Sequence, residues 1–177
     1  MKPRIAEELE RGPLRFERIR VAHARELEPL SLDPRVWRTL QDPREPPPTA
    51  RDVWRNAERK DVHWELHGFG QWLLREHKDG LVVGRGGLQY TEATGFREVE
   101  IGWAVLPERW GRGYATELAV AAIEAAFSGL GLASVIAYTQ LHNHASRRVM
   151  EKAGFHYESD LLYEELAHVV YRLHAGD

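Results

Sequence analysis

Residues 97–117 read Arg97-Glu-Val-Glu-Ile-Gly-Trp-Ala-Val-Leu-Pro-Glu-Arg-Trp-Gly-Arg-Gly-Tyr-Ala-Thr-Glu117. Val99, Ile101, Trp103 and Val105 alternate with Glu98, Glu100, Gly102 and Ala104, the period of two that defines a strand with two unlike faces. Pro107 cannot extend a sheet ladder, Gly111 and Gly113 free the backbone, and from Tyr114 an Ala-rich helical pattern begins. The stretch predicts strand, glycine loop, helix. A helix's first turn leaves N–H groups without partners and carries about half a positive charge. The backbone from Gly111 to Thr116, with Arg109 and Arg112 beside it, is therefore suited to a phosphate. A tight turn alone would also account for an isolated Gly-x-Gly.

Working outward towards the N-terminus, Phe69 to His77 and Leu81 to Thr91 form a hairpin pattern across Lys78-Asp79-Gly80. Leu14 to Arg20 alternates as a first strand. Val21 to Leu32 follows as a helix with Ala24, Leu27 and Leu30 on one face. Asp33-Pro34 starts a second helix whose apolar side is Val36, Trp37 and Leu40, and the run Pro43 to Pro48 breaks it. Thr49 and Asp52 have the spacing of an N-terminal cap for a third helix carrying Val53, Trp54 and Ala57.

Towards the C-terminus, the helix of residues 114–128 has a polar stripe of only Glu117, Glu124 and Ser128, so it should lie deep against a sheet. Ser134 to Thr139 is a short apolar strand. As strand, helix and strand follow in order, it should be the parallel neighbour of strand 97–106 through a right-handed crossover. Asn143 caps a helix over residues 145–153 that Gly154 ends, and Phe155 to Glu158 and Leu161 to Leu173 pair as a hairpin turning at Glu158-Ser159-Asp160.

A chain of 177 residues with 43% hydrophobic composition fits one domain. Its net charge of -3 comes from 24 basic and 27 acidic side chains that are mixed along the chain, which argues against nucleic acid as a partner. The absence of cysteine excludes disulfides, a thiolate nucleophile and a cysteine metal site. His142 and His144 flank Asn143 without a third ligand, so no metal site is expected. No run approaches the ~20 apolar residues of a membrane span, and the expectation is a soluble cytoplasmic protein without membrane partners. Trp37, Trp54, Trp64 and Trp72 read as core or pocket wall.

Glu100-Ile101-Gly102, Trp110-Gly111-Arg112-Gly113-Tyr114-Ala115-Thr116-Glu117 and Asn143-x-x-Ser146-Arg147-Arg148-Val149-Met150-Glu151-Lys152-Ala153-Gly154-Phe155 together resemble the GNAT superfamily of N-acetyltransferases, most of all its RimJ/RimL branch of ribosomal-protein N-terminal acetyltransferases. The resemblance implies an α/β (α+β) fold: a mixed, mostly antiparallel central sheet with two splayed parallel strands and flanking helices. It covers residues 12–173 as one domain, with residues 1–11 as an N-terminal extension. It further implies that acetyl-CoA is the cosubstrate, its pyrophosphate on the amides of Gly111, Arg112, Gly113, Tyr114, Ala115 and Thr116. The backbone of Trp103 to Val105 would pair with its pantetheine arm, and Asn143 would belong to the cofactor side. Trp110 stands where most of the superfamily has Gln or Arg, as is usual in the RimJ/RimL branch.

Acyl transfer to an amine needs a neutral nucleophile, a polarised carbonyl and a proton for the leaving thiolate. Glu100 is the candidate base, with Glu98 its same-face neighbour. Seven residues after Asn143, where many members of the superfamily place a tyrosine acid, stands Met150. The branch resemblance offers Ser146 instead, which also sits in the first turn of its helix as part of a cap. The expected activity is acetyl transfer to a primary amine, first a protein N-terminal α-amine. The alternatives are a small amine such as an antibiotic, polyamine or amino acid, or a non-catalytic acyl-CoA-binding module. A homodimer is an open partner expectation.

Overall fold

The computed structural model describes residues 3–42 and 44–177. Met1 and Lys2 of the expected extension, and Pro43 at the head of the proline run, lie outside the described residues. The described chain forms strands β1 (Glu8–Arg11) and β2 (Leu14–Arg18), helices α1 (Ala24–Ser31), α2 (Pro34–Trp37) and α3 (Ala50–His67), and strands β3 (Gln71–Glu76), β4 (Val82–Thr91) and β5 (Glu98–Val105). Helix α4 (Tyr114–Glu124), strand β6 (Ser134–Gln140), helix α5 (His144–Lys152) and strands β7 (His156–Tyr163) and β8 (Leu166–His174) complete it. The strands make one eight-stranded sheet in the order β1-β2-β3-β4-β5-β6-β8-β7. Every neighbouring pair is antiparallel except β5 and β6, which are parallel and in register at Glu100↔Ile136 alone. This is the mixed sheet with two splayed parallel strands that the resemblance implies.

The alternation in β5 sorts its side chains between two cores. Val99, Ile101 and Val105 join Phe16, Leu74, Leu118 and Met150 on the face covered by α4 and α5. Ala104 joins Ile19, Leu27, Leu30, Val53, Ala57 and Leu73 under α1, α2 and α3. Glu98, Glu100 and Gly102 therefore belong to the α3 face. The caps form where expected: Asp33 accepts from the Arg35 amide, and Thr49 and Asp52 make a reciprocal capping box. No helix of the described residues is long and apolar enough to cross a membrane.

Four expectations need correction. Residues 8–11, read as part of an extension, form β1 and pair with β2, so the sheet begins ahead of residue 12. The last hairpin turns at Glu164-Glu165, with φ of 49° and 60°, and Glu158, Ser159 and Asp160 lie inside β7. Leu40 and Trp54 are exposed. The buried face of α3 runs through Val53, Ala57 and Trp64, and Trp54 sits one residue, about 100°, round the helix from it. Finally, residues 125–129 close the central helix as a π-helical turn rather than a continued α-helix.

Candidate active site

Beyond β5 the chain makes one tight turn over Pro107–Arg109, and then Gly111 and Gly113 take φ of +76° and +82°. Nothing lies within 4 Å of a Cβ built on either, so these positions require glycine for backbone conformation and not for crowding. Gly113 begins α4, and no side chain caps that first turn; the Glu117 amide is the first to return into the helix, to Gly113 O at 2.9 Å. The edge of Gly111, Arg112, Gly113, Tyr114, Ala115 and Thr116 thus keeps the anion-accepting character of a helix start.

The loop is fastened from behind. Trp110 Nε1 donates to Val105 O at 2.8 Å, Arg109 donates to both oxygens of Glu76 at 2.9 and 3.0 Å, and the Tyr114 hydroxyl donates to Glu76 Oε1 at 2.6 Å. Glu76 is 3% exposed, and the Arg109 guanidinium holds its carboxyl below the usual range. Arg109, expected beside the anion, is committed to this pair. Arg112 keeps a half-exposed side chain, 3.9 Å from Glu76.

Trp103 and Val105 pair with Gly86 and Gly84 of β4, but on their other side β6 has left register. At the far wall of this cleft Asn143 caps α5: its Oδ1 accepts from the Ser146 amide at 3.2 Å, and its Nδ2 donates to Thr139 Oγ1 at 3.1 Å. Both polar ends of Asn143 are therefore used internally. The cap takes the Ser146 amide and leaves the hydroxyl out of it. Met150 is 1% exposed within the α4-side core.

On the α3 face, four polar side chains form a row across three strands. Arg85 Nη1 donates to Gln71 Oε1 at 3.1 Å, Gln71 Nε2 donates to Gln89 Oε1 at 2.9 Å, and Gln89 Nε2 donates to Glu100 Oε1. A guanidinium only donates and a carboxylate only accepts, so the ends of the row set the orientation of both amides. The row leans over the space left by Gly102, where a Cβ would lie 3.8 Å from Glu100 Oε1 and 4.0 Å from Gln71 Nε2. A cavity of about 280 Å³ opens between this row and α3, with Asn56, Arg59, Lys60 and His63 on the helix side. His63 bridges Phe69 O at 2.9 Å and the Tyr90 amide at 3.3 Å, and burial pushes its imidazole below the usual range, so it serves as a neutral wall.

Glu100 is 7% exposed, and its Oε2 is buried with no hydrogen bond of full geometry among the described residues, although the Tyr138 and Thr91 hydroxyls stand close enough to favour its charged form. Burial pushes its carboxyl above the usual range. Glu98 is instead bound by Thr94 Oγ1 at 2.5 Å and Arg172 at 2.7 Å. Of the two catalytic candidates, Glu100 stands on the α3 face, and Ser146 stands on α5, which packs on the α4 face. The two therefore belong to opposite faces of the sheet. Sequence reasoning missed Lys60, Gln71, Arg85 and Gln89. For Gln71, Arg85 and Gln89 the available signal was a polar residue at inward positions of largely apolar strands, and Lys60, on α3, had no such signal.

A family model described as an acetyltransferase (GNAT) domain matches residues 14–156. Among curated proteins, the N-acetyltransferase YoaA of Bacillus subtilis is 32% identical over 100 residues, covering 56% of this chain and 55% of YoaA. An Aspergillus fumigatus FsC-acetyl coenzyme A-N(2)-transacetylase is 41% identical over 93 residues, covering 49% of this chain and 39% of that enzyme. The chain thus spans about half or less of the length of these relatives. Among solved structures, a GnaT-family acetyltransferase from Bordetella pertussis superposes with a TM-score of 0.80 at 23% identity, over 94% of this chain and 99% of that one. A ribosomal-protein-S5-alanine acetyltransferase from Vibrio fischeri gives 0.75 at 16% identity, over 96% and 97%. AAC(6')-Ib, solved with paromomycin and acetyl-CoA, gives 0.73 at 16%, over 92% and 94%. At these identities the three superpositions establish the fold.

Proposed function

Since this chain belongs to the GNAT acetyltransferases, we propose that it moves an acetyl group from acetyl-CoA to a primary amine, first of all the α-amine of a protein N-terminus. The observation that carries the reading is the buried Oε2 of Glu100, which lacks a hydrogen bond of full geometry, at the one point where β5 and β6 are in register. A buried acceptor without such a bond costs about 1–3 kcal/mol, and an amine N–H brought to it would offset that cost.

The residues present fit acetyl-CoA. Two glycines with left-handed φ precede an uncapped helix start, so backbone amides can approach a pyrophosphate, and Arg112 adds charge beside it. The free edge of Trp103 to Val105 suits an extended arm that hydrogen-bonds like a strand. Asn143 serves this side indirectly, by holding the start of α5. In the transfer, the amine nitrogen bonds to the acetyl carbon, the carbon–sulfur bond breaks, the amine proton passes to Glu100, and the thiolate takes up a proton to leave as thiol. Ser146 is the proposed proton donor, acting from the opposite face. A thiol of pKa about 8.5 is a tolerable leaving group, so that help need only be modest.

At pH 7, freeing a lysine amine of pKa about 10.4 costs roughly 4.6 kcal/mol, against about 1 kcal/mol for an α-amine near 7.8. A carboxylate base therefore suits the α-amine. The RimJ/RimL-like motifs around Trp110 and Ser146 support a protein acceptor. The bounded cavity of about 280 Å³ favours a small amine as the second reading. Acetyl-CoA mixed with a peptide bearing a free N-terminus should release thiol steadily, and faster than with the same peptide N-blocked and carrying lysine. Absence of release with every amine would leave only an acyl-CoA-binding module, and preference for the lysine peptide would remove the α-amine assignment.

A further inference from the structure

The charges around the acceptor cavity are unbalanced. Arg59 and Lys60 line it opposite Gln71 and Gln89, the two middle members of the polar row, and Glu100 is the single carboxylate of that row. Among the described residues no carboxylate comes within ion-pair distance of Arg59, Lys60 or Arg85: Lys60 Nζ donates to Asn56 Oδ1, and Arg85 to Gln71. Arg59 is exposed and Lys60 half-buried, whereas elsewhere the withdrawn Arg18, Arg75 and Arg109 each hold a carboxylate. Cations taken out of water without an anion are unfavourable and are retained where a ligand supplies the counter-charge.

We propose that the acceptor carries a carboxylate close to its amine, with the amine at Glu100 and the carboxylate against Lys60. This rests on the acetyltransferase reading above and narrows its acceptor class. The placement has a chemical benefit, because cations beside the acceptor disfavour its ammonium form and so help supply the neutral nucleophile. Burial disfavours the charged form of Lys60, and an incoming carboxylate would restore its ammonium. The same field repels polycationic amines. A cavity of about 280 Å³ accommodates one amino acid or one terminal residue of a peptide. The carboxylate therefore has two sources, the α-carboxylate of a free amino acid or an acidic side chain at a peptide's N-terminus.

Two matched series at saturating acetyl-CoA, followed by thiol release, test this. Free amino acids are compared with their carboxamides, and Asp- or Glu-initiated peptide amides with Asn- or Gln-initiated ones. The acid of at least one series should exceed its amide at least tenfold in kcat/KM. In the amino-acid series intrinsic reactivity runs the other way, since a neighbouring carboxylate raises the amine's basicity. Preference in the first series assigns a free amino acid, and in the second a peptide. Lys60→Met should shrink the preferred series' ratio to within about threefold, measured as a ratio so that partial misfolding cancels. Thiol release with no acid preference in either series overturns the proposal while leaving the acetyltransferase reading intact. No release with any amine overturns that reading itself.

Discussion

Glu100 illustrates how function and stability oppose each other at one side chain. Its carboxyl is raised by burial, so the native state holds the proton more tightly than the unfolded chain does. The native state then binds more protons between the two pKa values, and stability falls as pH rises through the folded value. Glu100→Gln should therefore raise the melting temperature at pH 8 while lowering turnover at pH 7 about a hundredfold. The turnover deficit should shrink as pH passes the amine's own pKa. Wild-type turnover at pH 7 in this variant would remove the base assignment. Ser146 allows a clean companion test, since its amide and not its hydroxyl completes the cap. Ser146→Ala should keep stability within about 0.5 kcal/mol and lose roughly ten- to a hundredfold in turnover, most at alkaline pH. Unchanged turnover would reduce Ser146 to a helix position. Alternation in β5 was enough to single out Glu100, but nothing near it in the chain announced its burial. That comes from Gln89 and Thr91 across the ladder, Tyr138 on β6 and Lys60 on a helix forty residues away.

The strand–loop–helix element was readable because each of its steps has a local cause: period two, a proline, two glycines, an apolar helix. Its fastening was not, since Glu76 meets Arg109 and Tyr114 only once β3 lies beside β4 and the loop folds back. Gly113→Val places a β-branched residue at φ +82°, adding about 2 kcal/mol of strain. Acetyl-CoA affinity per folded molecule should fall at least tenfold by calorimetry, as the displaced amides each represent about 1.5–3 kcal/mol towards a charged oxygen. Unchanged affinity would defeat the phosphate-loop assignment. The last hairpin failed from sequence for the opposite reason. Glu164 and Glu165 both adopt left-handed φ, which no glutamate signals in advance. Glu164→Asn with Glu165→Gly supplies residues that favour this turn and should stabilise the protein by about 1 kcal/mol, read as a higher melting temperature. A lower one would show that the turn glutamates contribute contacts that outweigh their strain.

At the scale of the molecule, the β3–β4 hairpin and the parallel crossover from β5 to β6 followed from periodicities alone. β1 did not, because Glu8-Leu9-Glu10-Arg11 has one apolar residue and is a strand only by virtue of the ladder that β2 offers it. The cleft between β5 and β6 has a further consequence, for cooperativity. Strands β1 to β5 are laddered continuously, as are β6, β8 and β7, whereas the two groups touch in register at a single residue pair. Without cosubstrate, amide exchange should therefore proceed from two blocks of unequal opening free energy, with β6–β8–β7 the less protected. Acetyl-CoA lying along the cleft would act as a mortar joint. At a hundred times its dissociation constant it should add about 2.7 kcal/mol to global stability, and the two sets of exchange rates should merge into one. Blocks that remain separate at saturation would mean that the ligand rests on one bank and never bridges the gap.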